Sequence, residues 1–429
     1  MRLNRHIIIF ILSFAIILLN GCEYCPYYPT PPVYSFPFFL SDASNLYAVK
    51  VVYNGEDGIF TTDINVYKVG NSGINKIKHK TFKGSYKWGA GVYEFNYYKI
   101  SPMTFDKKWV ILEDTKNGYV YLYDIIDDYK KWIGKLNSSK NKCSDDRYSL
   151  YFANTIPLNE SSILDVFNLG ILAEKGTKNE EPCIEDYVTR KEIPIDHPEG
   201  VKYYYLNYDE ESERFLYSFV QASEIVVDQL NFTESSEIFQ PRSYLGKITM
   251  DTLGQPFKFI AFAGDFLIAQ KYSYCTTFCS NPDDRGVLYL YNYREKRLIK
   301  KITLNLDGIQ VEDLSLMYAR KVSDGIFVIF RDVEAVHSIA FIPLAYIPEE
   351  IKLYPLQICR NESYWCWNFE KNIYNFAWIG NKMFFIGNVD LGLKKSKCDF
   401  KGVDNFNVYK IFYDSSSGKI KIEEVGKVE

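Results

Sequence analysis

The sequence is poor in histidine and lacks the short motifs that mark common catalytic sites. Only four histidines occur among 429 residues, and none lies in an HExxH or H-x-H zinc pattern. There is no G-x-S-x-G nucleophile elbow, no P-loop and no dinucleotide-binding glycine pattern in the context that each fold requires. We therefore predict no catalytic, metal-binding or cofactor-binding residue from motifs.

A concentrated block of basic residues is also missing. The formal net charge is −4, and no run of lysine or arginine stands out along the chain. Domains that bind nucleic acid present clustered positive charge, because they must neutralise phosphates. We therefore do not expect a nucleic-acid partner.

Long stretches with helical periodicity are absent, whereas aromatic residues are abundant. The chain contains 36 tyrosines and 30 phenylalanines, which favour the half-buried surface of a β-sheet. From about Leu46 onward, short alternating segments are separated by polar turns, which is typical of antiparallel strands. The segment from Asp124 to Leu136 also fits a helix face, but its resemblance to other segments of the chain favours a hairpin. The sequence therefore predicts an all-β fold.

The N-terminus has the layout of an export signal. Arg2 and Arg5 precede an apolar segment, Ile7 to Leu19, whose length of about 13 residues is too short to span a bilayer. The sequence Leu19-Asn20-Gly21-Cys22 follows. It resembles the lipobox of bacterial lipoproteins, in which the signal peptide is cut before a cysteine that carries acyl chains. An ordinary cleaved signal or a marginal anchor helix is the alternative.

This resemblance implies a location and an anchor. Residues 1–21 would be removed, and acylated Cys22 would attach the protein to membrane lipid in the cell envelope, on the periplasmic or cell-surface side. Residues 22–42 then read as a tether rich in proline and tyrosine, with Pro26, Pro29, Pro31, Pro32 and Pro37. Proline fixes φ and removes backbone donors, so we expect this segment to be an extended spacer.

The remaining residues, 43–429, contain an internal repeat. Four five-residue blocks have apolar first and third positions and tyrosine at the fourth: Ile64–Lys68, Val120–Asp124, Leu288–Asn292 and Phe406–Lys410. Their tyrosines stand 56, 168 and 118 residues apart, which are multiples of a period of 56–59. Weaker copies fill the gaps and bring the count to seven units. Each pairs two predicted strands: Ser162 to Leu172 with Tyr187 to Ile193 in the third unit, Ser243 to Met250 with Gln255 to Ile260 in the fourth, and His337 to Leu344 with Ile351 to Leu356 in the sixth.

A unit of three or four antiparallel strands cannot bury both faces of its sheet alone. A radial arrangement of such sheets around an axis buries both faces of each one. We therefore predict a β-propeller of about seven blades over residues 43–429. Six or eight blades and a stacked pair of β-sandwiches are the alternatives. The repeats resemble propeller blades only generically, because they lack the Gly-His and Trp-Asp signatures of WD40 blades.

Eight cysteines remain once Cys22 carries lipid, and an even number in an exported chain suggests disulfides. Sequence proximity favours four pairs, of which the last is the least constrained: Cys275 with Cys279, Cys359 with Cys366, Cys143 with Cys183, and Cys25 with Cys398. A zinc site formed by Cys275, Cys279, Cys359 and Cys366 would have unusual spacings, so we predict no metal.

The last unit is rich in tyrosine and tryptophan residues, which we consider as a binding surface. Tyr364, Trp365 and Trp367 lie in one predicted loop, where aromatic rings suit protein hot spots or sugar stacking. Packing between blades is the plainer explanation for them. Acidic pairs such as Asp127-Asp128 and Glu210-Glu211 lie in predicted turns and are expected to be solvated.

The sequence therefore favours a binding or scaffold module over an enzyme. The leading hypothesis is a membrane-anchored envelope propeller that binds a protein partner through its loops. The alternative is a glycan hydrolase or lyase with its site in the central funnel. That alternative requires two carboxylates that face each other across a substrate, about 5–10 Å apart.

Overall fold

The computed structural model describes most of the chain from Tyr34 onward. The described residues are 34–42, 44–56, 58–70, 73–89, 92–103, 108–137, 143, 153–159, 162–177, 181–233, 237–250, 256–271, 286–305, 314–331, 337–358, 376–387, 389–390 and 406–428. None of these residues forms a helix that is long and apolar enough to cross a bilayer. Every element of two or more residues in these ranges is a β-strand.

The strands form seven sheets that follow one another along the chain, and we number them as blades. The first three blades have the following strands. Blade 1 contains β1 (Tyr34–Ser41), β2 (Leu46–Glu56), β3 (Ile59–Val69), β4 (Ile74–Gly89) and β5 (Val92–Asn96); blade 2 contains β6 (Tyr98–Pro102), β7 (Val110–Asp114), β8 (Tyr119–Asp124) and β9 (Tyr129–Lys135); blade 3 contains β10 (Ala153–Asn159), β11 (Ser162–Phe167) and β13 (Ile184–Asp186).

The other four blades continue the same pattern. Blade 4 contains β12 (Ala173–Glu174), β14 (Tyr203–Asp209), β15 (Arg214–Gln221), β16 (Glu224–Thr233) and β17 (Ile238–Thr249); blade 5 contains β18 (Phe259–Ala263), β19 (Phe266–Gln270), β20 (Val287–Asn292), β21 (Arg297–Asn305) and β25 (Glu350–Lys352); blade 6 contains β22 (Ser315–Lys321), β23 (Gly325–Arg331), β24 (His337–Pro343), β26 (Tyr354–Ile358) and β29 (Val389–Asp390); blade 7 contains β27 (Phe376–Ile379), β28 (Lys382–Gly387), β30 (Phe406–Asp414) and β31 (Lys419–Val428).

Neighbouring strands within a blade pair antiparallel. The exception among the described strands is β21 with β25, which pair parallel. The first strands of neighbouring blades lie side by side, as β18 does with β22 and β1 does with β27. The first strand of each blade is therefore the innermost one, and successive strands step outward.

Seven apolar cores join the seven blades into a closed ring. Each core combines side chains from two consecutive blades, and the set runs from blades 1 and 2 through to blades 6 and 7. The seventh core packs blade 7 against blade 1. Every sheet thus buries both faces, which is the predicted architecture: the protein is an all-β, seven-bladed β-propeller.

The repeated five-residue block occupies the third strand of blades 1, 2, 5 and 7, and its pattern follows from this packing. In blade 2, Val120 and Leu122 pack toward blade 3, whereas Tyr123 packs toward blade 1. In blade 7, Phe406 and Val408 pack toward blade 1, whereas Tyr409 packs toward blade 6. Because side chains alternate along a strand, the first and third positions serve one neighbour and the fourth serves the other.

Six hairpin turns share one polar device. An Asp or Asn side-chain oxygen accepts a hydrogen bond from the N–H two residues later, and the residue four positions on has a positive φ. The side-chain bond mimics a turn, and the left-handed residue redirects the chain into the next strand. The pairs are Asp114 and Gly118, Asp124 and Asp128, Asp186 and Arg190, Asp209 and Glu213, Asn292 and Lys296, and Asp414 and Gly418.

Three expectations about boundaries need correction. Residues 34–41, placed in the tether, form β1, because their alternate phenylalanines pack into the core between blades 1 and 2. Gln255 to Ile260 was assigned to the fourth unit, but its last residues open β18 of blade 5. Tyr187 to Ile193 was expected to be a strand and lies instead beyond β13, mostly as a turn. The ambiguous segment from Asp124 to Leu136 is a hairpin, as favoured.

The closure between blades 7 and 1 is expected to be essential for stability. Leu46 is fully buried in that core, and Leu46→Ala should reduce the free energy of unfolding by about 2–5 kcal/mol through lost burial and a cavity. Urea denaturation followed by circular dichroism measures the change. Ile77→Ala, at a position 49% exposed in β4, is the control and should change stability by less than about 0.5 kcal/mol. Equal losses in the two variants would contradict the assignment.

Candidate functional site

A buried ionic cluster lies between blades 2 and 3. One guanidinium nitrogen of Arg190 lies 3.1 Å from Asp165 Oδ2 and 3.1 Å from Glu185 Oε1. The two carboxylates are brought together because Asp165 on β11 is the register partner of Glu185 on β13. Thr155 donates a further hydrogen bond of 2.8 Å to Asp165 Oδ1.

The side chains of this cluster are largely buried. Burial raises the pKa of Asp165 and the pKa of Glu185, even though the charge of Arg190 lowers both. The Arg190 guanidinium also lies over the ring of Tyr187, 4.7 Å from its centroid. Two largely buried carboxylates that share one arginine hold the strands that carry them together.

A disulfide lies beside the same cluster. Cys143 and Cys183, one of the predicted pairs, are bonded with their Cα atoms 5.9 Å apart. They pack against Phe167 in a small separate core, and the backbone N–H of Cys143 donates to Glu185 Oε2 at 3.4 Å. The bond fixes the segment that enters blade 3 against the strand that carries Glu185.

A second polar cluster links blades 4, 6 and 7 near the inner strands. Glu210, in the β14–β15 turn, accepts a hydrogen bond from the Tyr318 hydroxyl and pairs with Arg320 at 2.9 Å. Arg320 in turn lies over the Trp378 ring, 5.3 Å from the centroid. The acidic turn at Glu210 was expected to be solvated; it instead bridges over blade 5, so this cluster is a structural link between blades.

The outer strand of blade 2 has a different character, because its large aromatic side chains are exposed. Trp132 is 61% exposed, Tyr129 is 55% exposed, and Tyr119 on the adjacent β8 is 40% exposed. Three lysines accompany them on the same strand: Lys130, Lys131 and Lys135. We call these six residues the blade-2 edge.

Both faces of β9 contribute to the blade-2 edge. Trp132 is the register partner of Tyr121, whose ring packs toward blade 1, so Trp132 lies on that face. Tyr129 lies on the opposite face, where its ring centroid is 6.1 Å from that of Trp109. Lys130 Nζ lies over the Tyr121 ring at 4.8 Å.

The positive charge of this region was missed in the sequence because it is divided between two distant strands. β9 carries three lysines and no acidic residue, and β4 carries five lysines and no acidic residue. β4 is the long outer strand of the neighbouring blade, and Lys80 on it reaches Asp128 in the β8–β9 turn at 2.8 Å. Summing the charges of each predicted outer strand, instead of searching for consecutive basic residues, would have revealed this positive region.

The other predicted site residues have varied positions. Cys22, Cys25, Cys275, Cys279, Cys359, Cys366 and Cys398 lie outside the described residues, as do Tyr364, Trp365 and Trp367. His79 is exposed on β4, and its Nδ1 lies 2.9 Å from Asn65 Oδ1. His197 is partly buried beside the Tyr217 hydroxyl at 2.8 Å, and burial lowers its pKa.

The described residues contain no group of three histidine, cysteine or acidic side chains arranged to hold a metal ion. Among the three assemblies above, the blade-2 edge alone presents chemistry to solvent that a folded monomer does not use. Exposed aromatic rings with adjacent cations are suited to binding another molecule rather than to bond breaking.

Comparison with known proteins yields matches to solved structures at low similarity. Kluyveromyces lactis Hsv2 with its complete loop 6CD is 10% identical, with 92% of this chain and 99% of that chain covered and a TM-score of 0.39. The Neurospora crassa Pan2 WD40 domain is 10% identical, with 78% and 82% covered and a TM-score of 0.29. These scores support no argument about function, and the fold follows from the strand pairing and cores above. No family model matches the sequence, and no curated protein matches it.

The buried cluster between blades 2 and 3 is expected to depend on its arginine. Arg190→Met leaves two buried carboxylates without their cation and should cost about 3–5 kcal/mol of unfolding free energy at pH 7. When a carboxyl has a higher pKa in the folded state than in the unfolded state, the folded protein becomes less stable as the pH rises through that folded-state pKa. Removing Arg190 enlarges this effect for Asp165 and Glu185. The deficit relative to wild type should therefore shrink at about pH 4.5, where the carboxyls take up protons.

Denaturant titrations of both proteins at the two pH values measure this difference. Arg294→Met is the control, because Arg294 pairs with Asp265 at 2.6 Å and both side chains are about half exposed. It should cost less than about 1 kcal/mol. A deficit in Arg190→Met that does not change with pH would rule out the charge argument.

Proposed function

We propose that the chain is an exported lipoprotein whose propeller binds a protein partner at the cell envelope. The observation that carries this proposal is the blade-2 edge, where Trp132, Tyr129 and Tyr119 are 61%, 55% and 40% exposed. Tyr244 and Tyr346 are also exposed, but the blade-2 edge is where three exposed aromatic rings lie on two adjacent strands. Tryptophan and tyrosine are also the residues that dominate protein–protein hot spots.

Anchoring is supported by the leader and by the position where the chain enters the fold. The lipobox-like Leu19-Asn20-Gly21-Cys22 predicts acylation of Cys22, and the proline-rich sequence before Tyr34 predicts a spacer. Tyr34 begins β1, the innermost strand of blade 1. The tether would therefore attach near the propeller axis and leave the outer rim of the blades accessible.

A glycan hydrolase or lyase finds less support. Such an enzyme needs two carboxylates that face each other across a substrate. The convergent pair in the described part of the chain, Asp165 and Glu185, is buried and shares Arg190. That geometry favours a structural role, so we retain binding as the function.

Acylation is tested by metabolic labelling with an alkyne fatty acid in a bacterial host that processes lipoproteins. We expect the wild-type chain to incorporate the label and to fractionate with membranes. Cys22→Ser should lose both properties, because its hydroxyl does not replace the thiol that carries the lipid. Cys143→Ser is the matched control and should keep the label. Unlabelled wild-type protein would contradict the anchor.

The protein partner is tested by site-specific photo-crosslinking in the cells that make the protein. A photoreactive residue placed at Trp132 or at Trp365 should give a discrete product that contains a second protein, identified by mass spectrometry. The same residue at Tyr346, which is 79% exposed on another part of the molecule, should not. If no position gives a product, the proposed function is wrong.

A further inference from the structure

We propose that β9 accepts an extended, acidic segment of the partner as an added strand of blade 2. This inference rests on the proposed function, since it names the chemistry of the partner at the same surface. Addition of a strand to an exposed sheet edge is a general mode of peptide recognition: backbone hydrogen bonds provide affinity and alternate side chains provide specificity.

The edge of β9 is available over a defined length. Within the part of the chain that the structure describes, β9 pairs with β8 and with no strand on its other side. Beyond Gly134 the edge is covered by blade 3, where the Asn137 N–H donates to the Val188 carbonyl at 2.8 Å. The open stretch is therefore Tyr129 to Ile133, which matches the length of a short strand.

The exposed aromatics lie where an added strand would need them. Successive side chains of a strand point to opposite faces, so a bound segment would present residues to both faces of blade 2. One face offers Trp132 and Tyr119, and the other offers Tyr129 packed on Trp109. Cross-strand contacts of aromatic rings stabilise a strand pair, whereas rings left exposed in water do not.

The charge of β9 determines which segment would bind. Lys130, on the open stretch, and Lys135, just beyond it, form no ion pair with any described carboxylate, whereas nearby Lys80 pairs with Asp128 and Lys108 lies 3.8 Å from Asp124. A second copy of β9 would bring lysines opposite lysines, which destabilises a strand pair. An acidic segment would place carboxylates opposite these cations instead.

Protection of the edge explains only part of this composition. Lysines and β-bulges are common devices that stop edge strands from pairing with other chains, and β9 has a register shift opposite Val120 and Tyr121. That shift lies near the end of the strand, after Trp132. Two exposed aromatic rings on the open stretch favour association, so edge protection does not account for them.

A lipid surface is the other partner that suits aromatics and lysines. The chain enters the propeller at the innermost strand β1, whereas β9 is the outermost strand of blade 2. An anchor near the axis does not bring the outer rim to the bilayer. The geometry therefore favours a protein segment, and vesicles serve as a separate arm of the experiment.

Synthetic peptides test the inference on the full chain. Fluorescence anisotropy would compare three labelled ten-residue peptides: alternating Glu and Val, alternating Lys and Val, and the Glu–Val peptide with two central residues replaced by proline. Proline removes the N–H groups that a strand needs but keeps most of the charge. We expect the Glu–Val peptide to bind with a Kd at least about tenfold lower than either of the others.

Variants locate the binding surface. Trp132→Ala and Lys130→Glu change exposed positions, so the fold should persist, and each should weaken Glu–Val binding roughly tenfold. Tyr346→Ala and Lys382→Glu are matched controls at exposed positions outside blade 2, and they should bind like wild type. Circular dichroism verifies that all four variants are folded.

Several results would overturn the inference. Equal binding of the proline peptide would show charge attraction without strand pairing, and equal loss in the control variants would place the site elsewhere. Binding to vesicles of phosphatidylglycerol that depends on Lys130, without peptide binding, would assign the edge to lipid. A crosslinked partner from Trp365 that persists in Trp132→Ala would retain the proposed function while rejecting this inference.

Discussion

Each sheet of this protein has two apolar faces, and the fold depends on covering both. A single antiparallel sheet commonly leaves one face to solvent, but these sheets alternate apolar residues to both sides. In a ring, every blade is the neighbour of two others, so seven sheets provide seven cores. The last core closes the ring through side-chain packing between blades 7 and 1. Blade 1 draws its strands from the start of the chain and blade 7 from the end, with no strand shared between them.

This double packing explains what could be predicted from the sequence. The third strand of a blade must satisfy both neighbours, which produces the block with apolar first and third residues and tyrosine fourth. Tyr67, Tyr123, Tyr291 and Tyr409 all face the preceding blade and are almost fully buried. The period between such blocks therefore reports the blade count, and the prediction of a propeller of about seven blades was confirmed.

The same reasoning explains where prediction failed. In blade 4 the two-residue β12 precedes β14, so the strand that corresponds to the repeated block is β16, Glu224–Thr233. It has no tyrosine, and the repeat was placed on the following strand. In blade 3, β13 is only three residues long, and the turn after it was taken for strand. The start of the propeller was missed because the proline content of residues 22–42 suggested a tether. Pro37 lies in β1, whose axis-facing side has no partner strand in blade 1, and this is a position where proline is tolerated.

The candidate site depends on contacts that no local pattern contains. Arg190 meets Asp165 and Glu185 because an Asx turn at Asp186 sets its left-handed backbone and because β11 and β13 are in register. The net charge of −4 likewise does not reveal the blade-2 edge, because acidic residues elsewhere in the chain outnumber the lysines on β4 and β9. Blades diverge from the axis, so an outer strand finds fewer partners for its side chains than an inner one. Outer strands can then be polar at little cost, and Trp132, which is 61% exposed there, gains little from the fold of the monomer. The proposed contact with a partner segment would account for a tryptophan at this position.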